Sequence, residues 1–201
     1  TTGSMHGIDL VNGALLASGD TVIVEGVSYG GTLSRLRTLG VNYTGVSVDG
    51  DGMRMDHLAE VLAAQKRDGV RAKFIYTIPT VQNPTGTVLT TQRRREMLDL
   101  AGQYGLPIFE DDCYADLLWD GERPATIRSM DRNGQVIYCG SFSKSIAPAL
   151  RVGYVVADWP VLSRILPLKA DGGCGALEQM ALAEYCPTQF DSHVDELQAT
   201  L

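Results

Sequence analysis

Three observations predict an α/β fold, a three-layer αβα domain built on a mostly parallel sheet. Apolar strand-like runs alternate with amphipathic helical runs, the apolar runs are rich in β-branched residues, and the polar motifs fall just beyond their ends. In chain order, an apolar helix follows Thr2-Gly3-Ser4. Thr21-Val22-Ile23-Val24-Glu25 is a β-branched run after a Gly19-Asp20 turn. Residues 30–39 read as a helix ending before Gly40, and Val46-Ser47-Val48 as a short strand. Met55, Leu58, Val61 and Leu62 recur at helical spacing within 54–67. Ala72 to Ile78 reads as a buried strand, and 90–104 as a helix with Thr90 or Thr91 as N-cap and Gly105 as its stop. Strands are expected at 106–110, 136–139 and 152–156. The last forty residues read as helical, broken near Gly172-Gly173 and at Pro187.

The 201 residues suffice for one substantial core. At 44% hydrophobic and 20% charged, the composition is that of a globular protein. A formal net charge of -7 argues against non-specific nucleic-acid binding, which needs clustered cations. Cys113, Cys139, Cys174 and Cys186 have no C-x-x-C spacing and no His at a finger interval, so the expectation is four reduced thiols in a cytoplasmic protein without a metal site. No apolar run reaches the length of a membrane span, and no secretory signal is expected. There is no paired-His metal motif and no G-x-G-x-x-G after the first strand.

In parallel sheets, ligands bind beyond the carboxyl ends of the strands. Asn83, Asp111 and Ser141 to Lys144 each follow a different expected strand, so three distant segments deliver polar groups to one rim. A lysine in a dry pocket loses affinity for its proton and attacks carbonyls, whereas Ser-x-Ser-Lys alone is as readily a surface loop. Arg151 can grip a phosphate with its fork or sit on the surface. Asp111 in Glu110-Asp111-Asp112 can hold a metal, act as a base, pair with a protonated heterocycle or lie in a solvated turn. Asn83-Pro84-Thr85-Gly86 is turn chemistry that also presents an amide.

These motifs, Asn83-Pro84-Thr85-Gly86, Glu110-Asp111-Asp112-Cys113-Tyr114, and Ser141-Phe142-Ser143-Lys144 through Pro148 to Arg151-Val152-Gly153-Tyr154, together resemble the class I and II aminotransferases, enzymes that depend on pyridoxal 5'-phosphate (PLP). The likeness is greatest to the branch holding 2-aminoadipate aminotransferases and the aminotransferase-like domains of MocR-type regulators, and it fades after about Leu166. The resemblance implies that Lys144 carries PLP as a Schiff base and shuttles a proton, and that Asp111 pairs with the pyridine nitrogen. It implies that Asn83 and Tyr114 bind the phenolic oxygen, that Tyr29 stacks on the ring, and that Ser141 and Arg151 bind phosphate with Ser143 in a lesser part. Glu110 and Asp112 are left structural. Gly3, Ser4 and Met5 resemble the family's phosphate turn at a helix N-terminus. Met5 stands where Gln is frequent, which preserves a backbone contact and removes a side-chain one.

The implied activity is transamination between an amino acid and a 2-oxo acid in a homodimer. Residues 1–165 are then a PLP-binding large domain, incomplete at its N-terminal side, and 166–201 a helical segment leading to a small domain outside the chain. No arginine here, Arg164 included, is assigned to the substrate carboxylate. The alternatives are a MocR-type sensor domain and another PLP reaction, such as a lyase or decarboxylase.

Overall fold

The computed structural model describes residues 1–119 and 121–200. Its elements are α1 (Ser4–Leu15), β1 (Thr21–Glu25), α2 (Gly30–Thr38), β2 (Asn42–Val46), β3 (Val48–Asp49), β4 (Gly52–Met53), α3 (Met55–Arg67), β5 (Ala72–Thr77), α4 (Thr91–Tyr104), β6 (Ile108–Asp111), α5 (Ile127–Met130), β7 (Val136–Ser141), β8 (Gly153–Val156), α6 (Trp159–Ile165) and α7 (Ala176–Thr200). The main sheet runs β2-β1-β5-β6-β7-β8, with β8 alone antiparallel, and β3-β4 form a small hairpin. The expected α/β class and mostly parallel sheet are what the chain adopts.

Period-two alternation sorts the strand side chains into two cores. Val22, Val24, Phe74, Tyr76, Phe109, Ile137 and Cys139 pack with α1, α2 and Ile165 of α6. Ile23, Ile75, Ile108 and Val136 pack with α3, α4 and Ile127 of α5. Both faces are thus covered, as central parallel strands require.

Thr90 accepts from Arg93 N–H and Gly105 stops α4 in the left-handed conformation, as their residue types predict. Two expectations need correction. The strand expected at 46–48 instead ends at Val46 and starts four residues earlier, because β2 is an edge strand whose exposed Asn42, Tyr43 and Gly45 carry no apolar signal. Pro187 does not break α7; Ala183, whose carbonyl loses its partner, is exposed there, so the missing bond costs little. Of α7, only Leu182 is buried. Among the described residues no helix is long and apolar enough to cross a membrane.

Candidate functional site

β1 and β5 are neighbours although the chain places β2 on one side of β1 and all later strands on the other. A crevice opens at such a reversal. Tyr29 follows β1, Asn83 follows β5, Asp111 ends β6, and Ser143 and Lys144 follow β7. Eight of the eleven expected residues line one pocket of about 160 Å³: Ser4, Met5, Tyr29, Asp111, Tyr114, Ser143, Lys144 and Arg151. Ile78, Cys113 and Pro148 complete it. Asn83 meets it through Tyr114, Gly3 lies under Arg151, and Ser141 sits behind Ser143.

Asp111 forms the acidic end. It is 2% exposed, and its Oδ2 accepts from the Tyr76 hydroxyl at 2.7 Å. Its Oδ1 is buried with no hydrogen-bond partner. Burial raises its pKa to about 6, partly offset by Tyr76 and by the nearby thiol and N–H of Cys113. A buried carboxylate oxygen left unpaired is costly, and it marks a place for a donor absent from the protein itself.

A second group of pocket residues is built for an anion. α1 begins at Ser4 with no side-chain cap, leaving N–H groups of its first turn and the positive end of its dipole directed outward. Arg151 adopts φ 51°, unusual for a residue with a side chain. Its Nη2 donates to Thr2 O at 2.8 Å, and its Nη1 to Pro148 O at 3.0 Å and Ser143 Oγ at 3.4 Å. Gly3, at φ +90°, lies against that guanidinium, where a Cβ would collide with it. Ser141 Oγ donates to Ser143 Oγ at 2.9 Å and accepts from Ser143 N–H at 3.1 Å. Ser143 therefore faces the pocket, and Ser141 orients it from behind.

Lys144, Tyr114 and Tyr29 line the same pocket. Of the two surroundings the sequence left open for Lys144, the exposed one is found: its side chain is exposed at the pocket, with Nζ 5.6 Å from the centre of the Tyr114 ring. Asn83 Nδ2 donates to Tyr114 Oη at 3.1 Å, joining two motifs 31 residues apart.

Sequence reasoning missed a supporting layer. Glu25, at the end of β1, accepts from Thr77 Oγ1 at 2.7 Å and Gln82 Nε2 at 2.9 Å, and burial raises its pKa to about 7. The same Gln82 amide donates to Val27 O, while its Oε1 accepts from Thr85 N–H and hydroxyl. One side chain thus ties the loop bearing Tyr29 to the turn bearing Asn83. A charged residue inside a β-branched run was the available signal. Glu110 and Asp112, left structural above, face away from the pocket toward α5, Arg123 and Tyr138.

All 201 residues match the family model described as "Aminotransferase class I and II". The chain belongs to that family. It is 37% identical over 158 residues to aromatic-amino-acid aminotransferase 1 of Thermococcus litoralis, covering 79% of this chain and 38% of the relative. It is 34% identical over 203 residues to the uncharacterised HTH-type transcriptional regulator YdfD of Bacillus subtilis, covering 100% of this chain and 41% of the regulator. The structure of the α-aminoadipate aminotransferase LysN of Thermus thermophilus, complexed with N-(5'-phosphopyridoxyl)-L-leucine, superposes with a TM-score of 0.91 at 34% identity, over 99% of this chain and 51% of that one. The chain thus spans about half the length of the proteins it matches, or less. Class I and II aminotransferases are PLP-dependent, and the residues of this chain fit that cofactor: a carboxylate with a buried unpaired oxygen, an anion-binding arginine and serine, and a lysine line one pocket.

Proposed function

We propose that this chain is the cofactor-binding core of an aminotransferase that moves an amino group between an amino acid and a 2-oxo acid. The observation that carries the reading is the buried, unpartnered Oδ1 of Asp111 in the pocket that Lys144 also lines. Bound PLP supplies an electron sink for the pair released when the substrate's α C–H bond breaks.

The protein's own groups do the rest. Lys144 Nζ would hold the cofactor covalently, and its free amine would take and return the substrate's α-proton. Asp111 would keep the ring nitrogen protonated through its free oxygen. The N–H groups of Ser4 and Met5, with Ser143 and Arg151, would hold the phosphate, and Ser141 fixes the Ser143 hydroxyl. Tyr114, steadied by Asn83, would bind the phenolic oxygen, and Tyr29 would stack on the ring.

Residues 1–165 are read as the large domain and 166–201 as the lead into a smaller one, in keeping with the greater length of the relatives and the single buried residue of α7. A cytoplasmic homodimer completes the reading, by family likeness. The Lys144→Ala holo-protein is expected to lose the visible absorbance of lysine-bound cofactor together with transamination; an unchanged band overturns the assignment. The substrates for which these relatives are named, aromatic amino acids and α-aminoadipate, define the first assay panel.

A second reading rests on the match to YdfD over the whole chain: a sensor domain of a transcriptional regulator. It predicts a protein that binds PLP, lacks turnover across the panel, and carries a helix-turn-helix module.

A further inference from the structure

The side chain of Tyr76 is fully buried on the α1–α2 face of β5, packed edge-on against Phe109 with ring centres 5.6 Å apart. Two polar contacts reach its oxygen. The hydroxyl donates to Asp111 Oδ2 at 2.7 Å, and Thr32 Oγ1, on α2, donates to the same oxygen at 3.0 Å. A phenol has one proton, and an ionised carboxylate can only accept. The Tyr76 proton is therefore committed to Asp111, and the Thr32 proton serves the phenolic oxygen. The chain runs in one direction, Thr32 to Tyr76 to Asp111, across three elements.

This direction has a consequence for the carboxylate. Oδ2 is occupied and its plane is pinned by a ring that cannot rotate away, while Oδ1 stays buried without a partner. The Tyr76 bond also opposes the effect of burial on Asp111. We propose that Tyr76, anchored by Thr32, is a positioning residue that commits one oxygen of Asp111 and presents the other to the ring nitrogen of the cofactor. The proposal rests on the reading of the pocket as a PLP site.

The test compares PLP with its 1-deaza analogue, which keeps the aldehyde and phosphate but has carbon in place of the ring nitrogen. Both are titrated into apo-protein and followed by absorbance. Tyr76→Phe removes the donor and keeps the ring. A hydrogen bond to a charged group predicts a loss of PLP affinity of about tenfold or more, with less than about twofold for the analogue. Thr32→Val is expected to show the same selectivity at smaller size, and Thr32→Ser to restore wild-type binding. In the Asp111→Asn background, Tyr76→Phe should add nothing. Equal losses for both ligands, or none for PLP, overturn the proposal and leave Tyr76 a core residue. If Tyr76→Phe fails to fold, the Thr32 pair decides by the same criterion. If wild type forms no visible band with PLP, it is the cofactor site itself that fails.

Discussion

Glu110 and Asp111 are neighbours on β6, both buried and both with raised pKa values, yet they face opposite sides of the sheet and do different things. Glu110 Oε1 accepts from Ile127 N–H and Oε2 from Arg128 N–H, each at 2.8 Å, and its carboxylate lies 3.8 Å from the fully buried Arg94 guanidinium. Asp111 has one partner and one unpaired oxygen. Burial lifts Glu110 to about 7 and Asp111 to about 6, so neither depth nor pKa separates them. Hydrogen-bond satisfaction does: the saturated carboxylate joins β6 to α5, and the incomplete one awaits a ligand.

Substitutions on the two faces should separate accordingly. The largest effect is expected from Asp111→Ala, which should lower the transamination rate by about 10²–10³-fold or more while changing apo-protein stability little, because removal of the buried unpaired oxygen offsets the loss of the Tyr76 hydroxyl's acceptor. A large loss of thermal stability with normal turnover would erase the distinction. Glu110→Ala should do the reverse, costing about 3–5 kcal/mol because two helix N–H groups lose their acceptor and the buried Arg94 loses a counter-charge. Urea unfolding followed by circular dichroism measures this.

Gly3→Ala should weaken PLP binding by about tenfold by displacing the Arg151 guanidinium, and leave pyridoxal, which lacks the phosphate, unaffected. Equal effects on both ligands would remove Gly3 from the anion cradle.

The pH dependence sharpens the comparison further. Glu25, Glu110 and Asp111 all have folded pKa values above their ordinary ones, so between about pH 4 and 7 the folded apo-protein binds more protons than the unfolded chain. Their contribution to stability is complete below that window and is lost as pH rises through it. Calorimetry should show the apo-protein melting lower at pH 8 than at pH 5. PLP, whose protonated ring favours the charged form of Asp111, should reduce that slope. The smallest effect is expected from Thr90→Ala, on the Glu110 face, at about 1 kcal/mol of stability with the absorbance of bound cofactor unchanged.

Most of the pocket was legible because its residues sit in turn and strand-end motifs with unusual composition: Asn83 before Pro, Asp111 in an acidic triplet, Lys144 after two serines. The supporting groups were not. Tyr76 reads as an aromatic core residue because its ring is one, and only the sheet brings its hydroxyl to Asp111, 35 residues away. That Ser143 lines the pocket with Ser141 behind it depends on which side of the turn each occupies, and strand periodicity does not carry past the last residue of β7. The exposure of Lys144 and the persistence of α7 through Pro187 likewise follow from surroundings that local residue preference does not encode.

The anion cradle joins distant parts of the chain. Gly153 N–H donates to Thr1 O at 2.9 Å, and a Cβ on Gly153 would stand 2.8 Å from the carbonyl carbon of Gly3. Arg151 reaches Thr2 across 149 residues. Contacts of such separation carry the greatest loop-closure cost and form late. Cofactor capture therefore reports on the joining of the chain's start to β8, and a chain stalled before β8 docks would present its acidic oxygen with the phosphate cradle still incomplete.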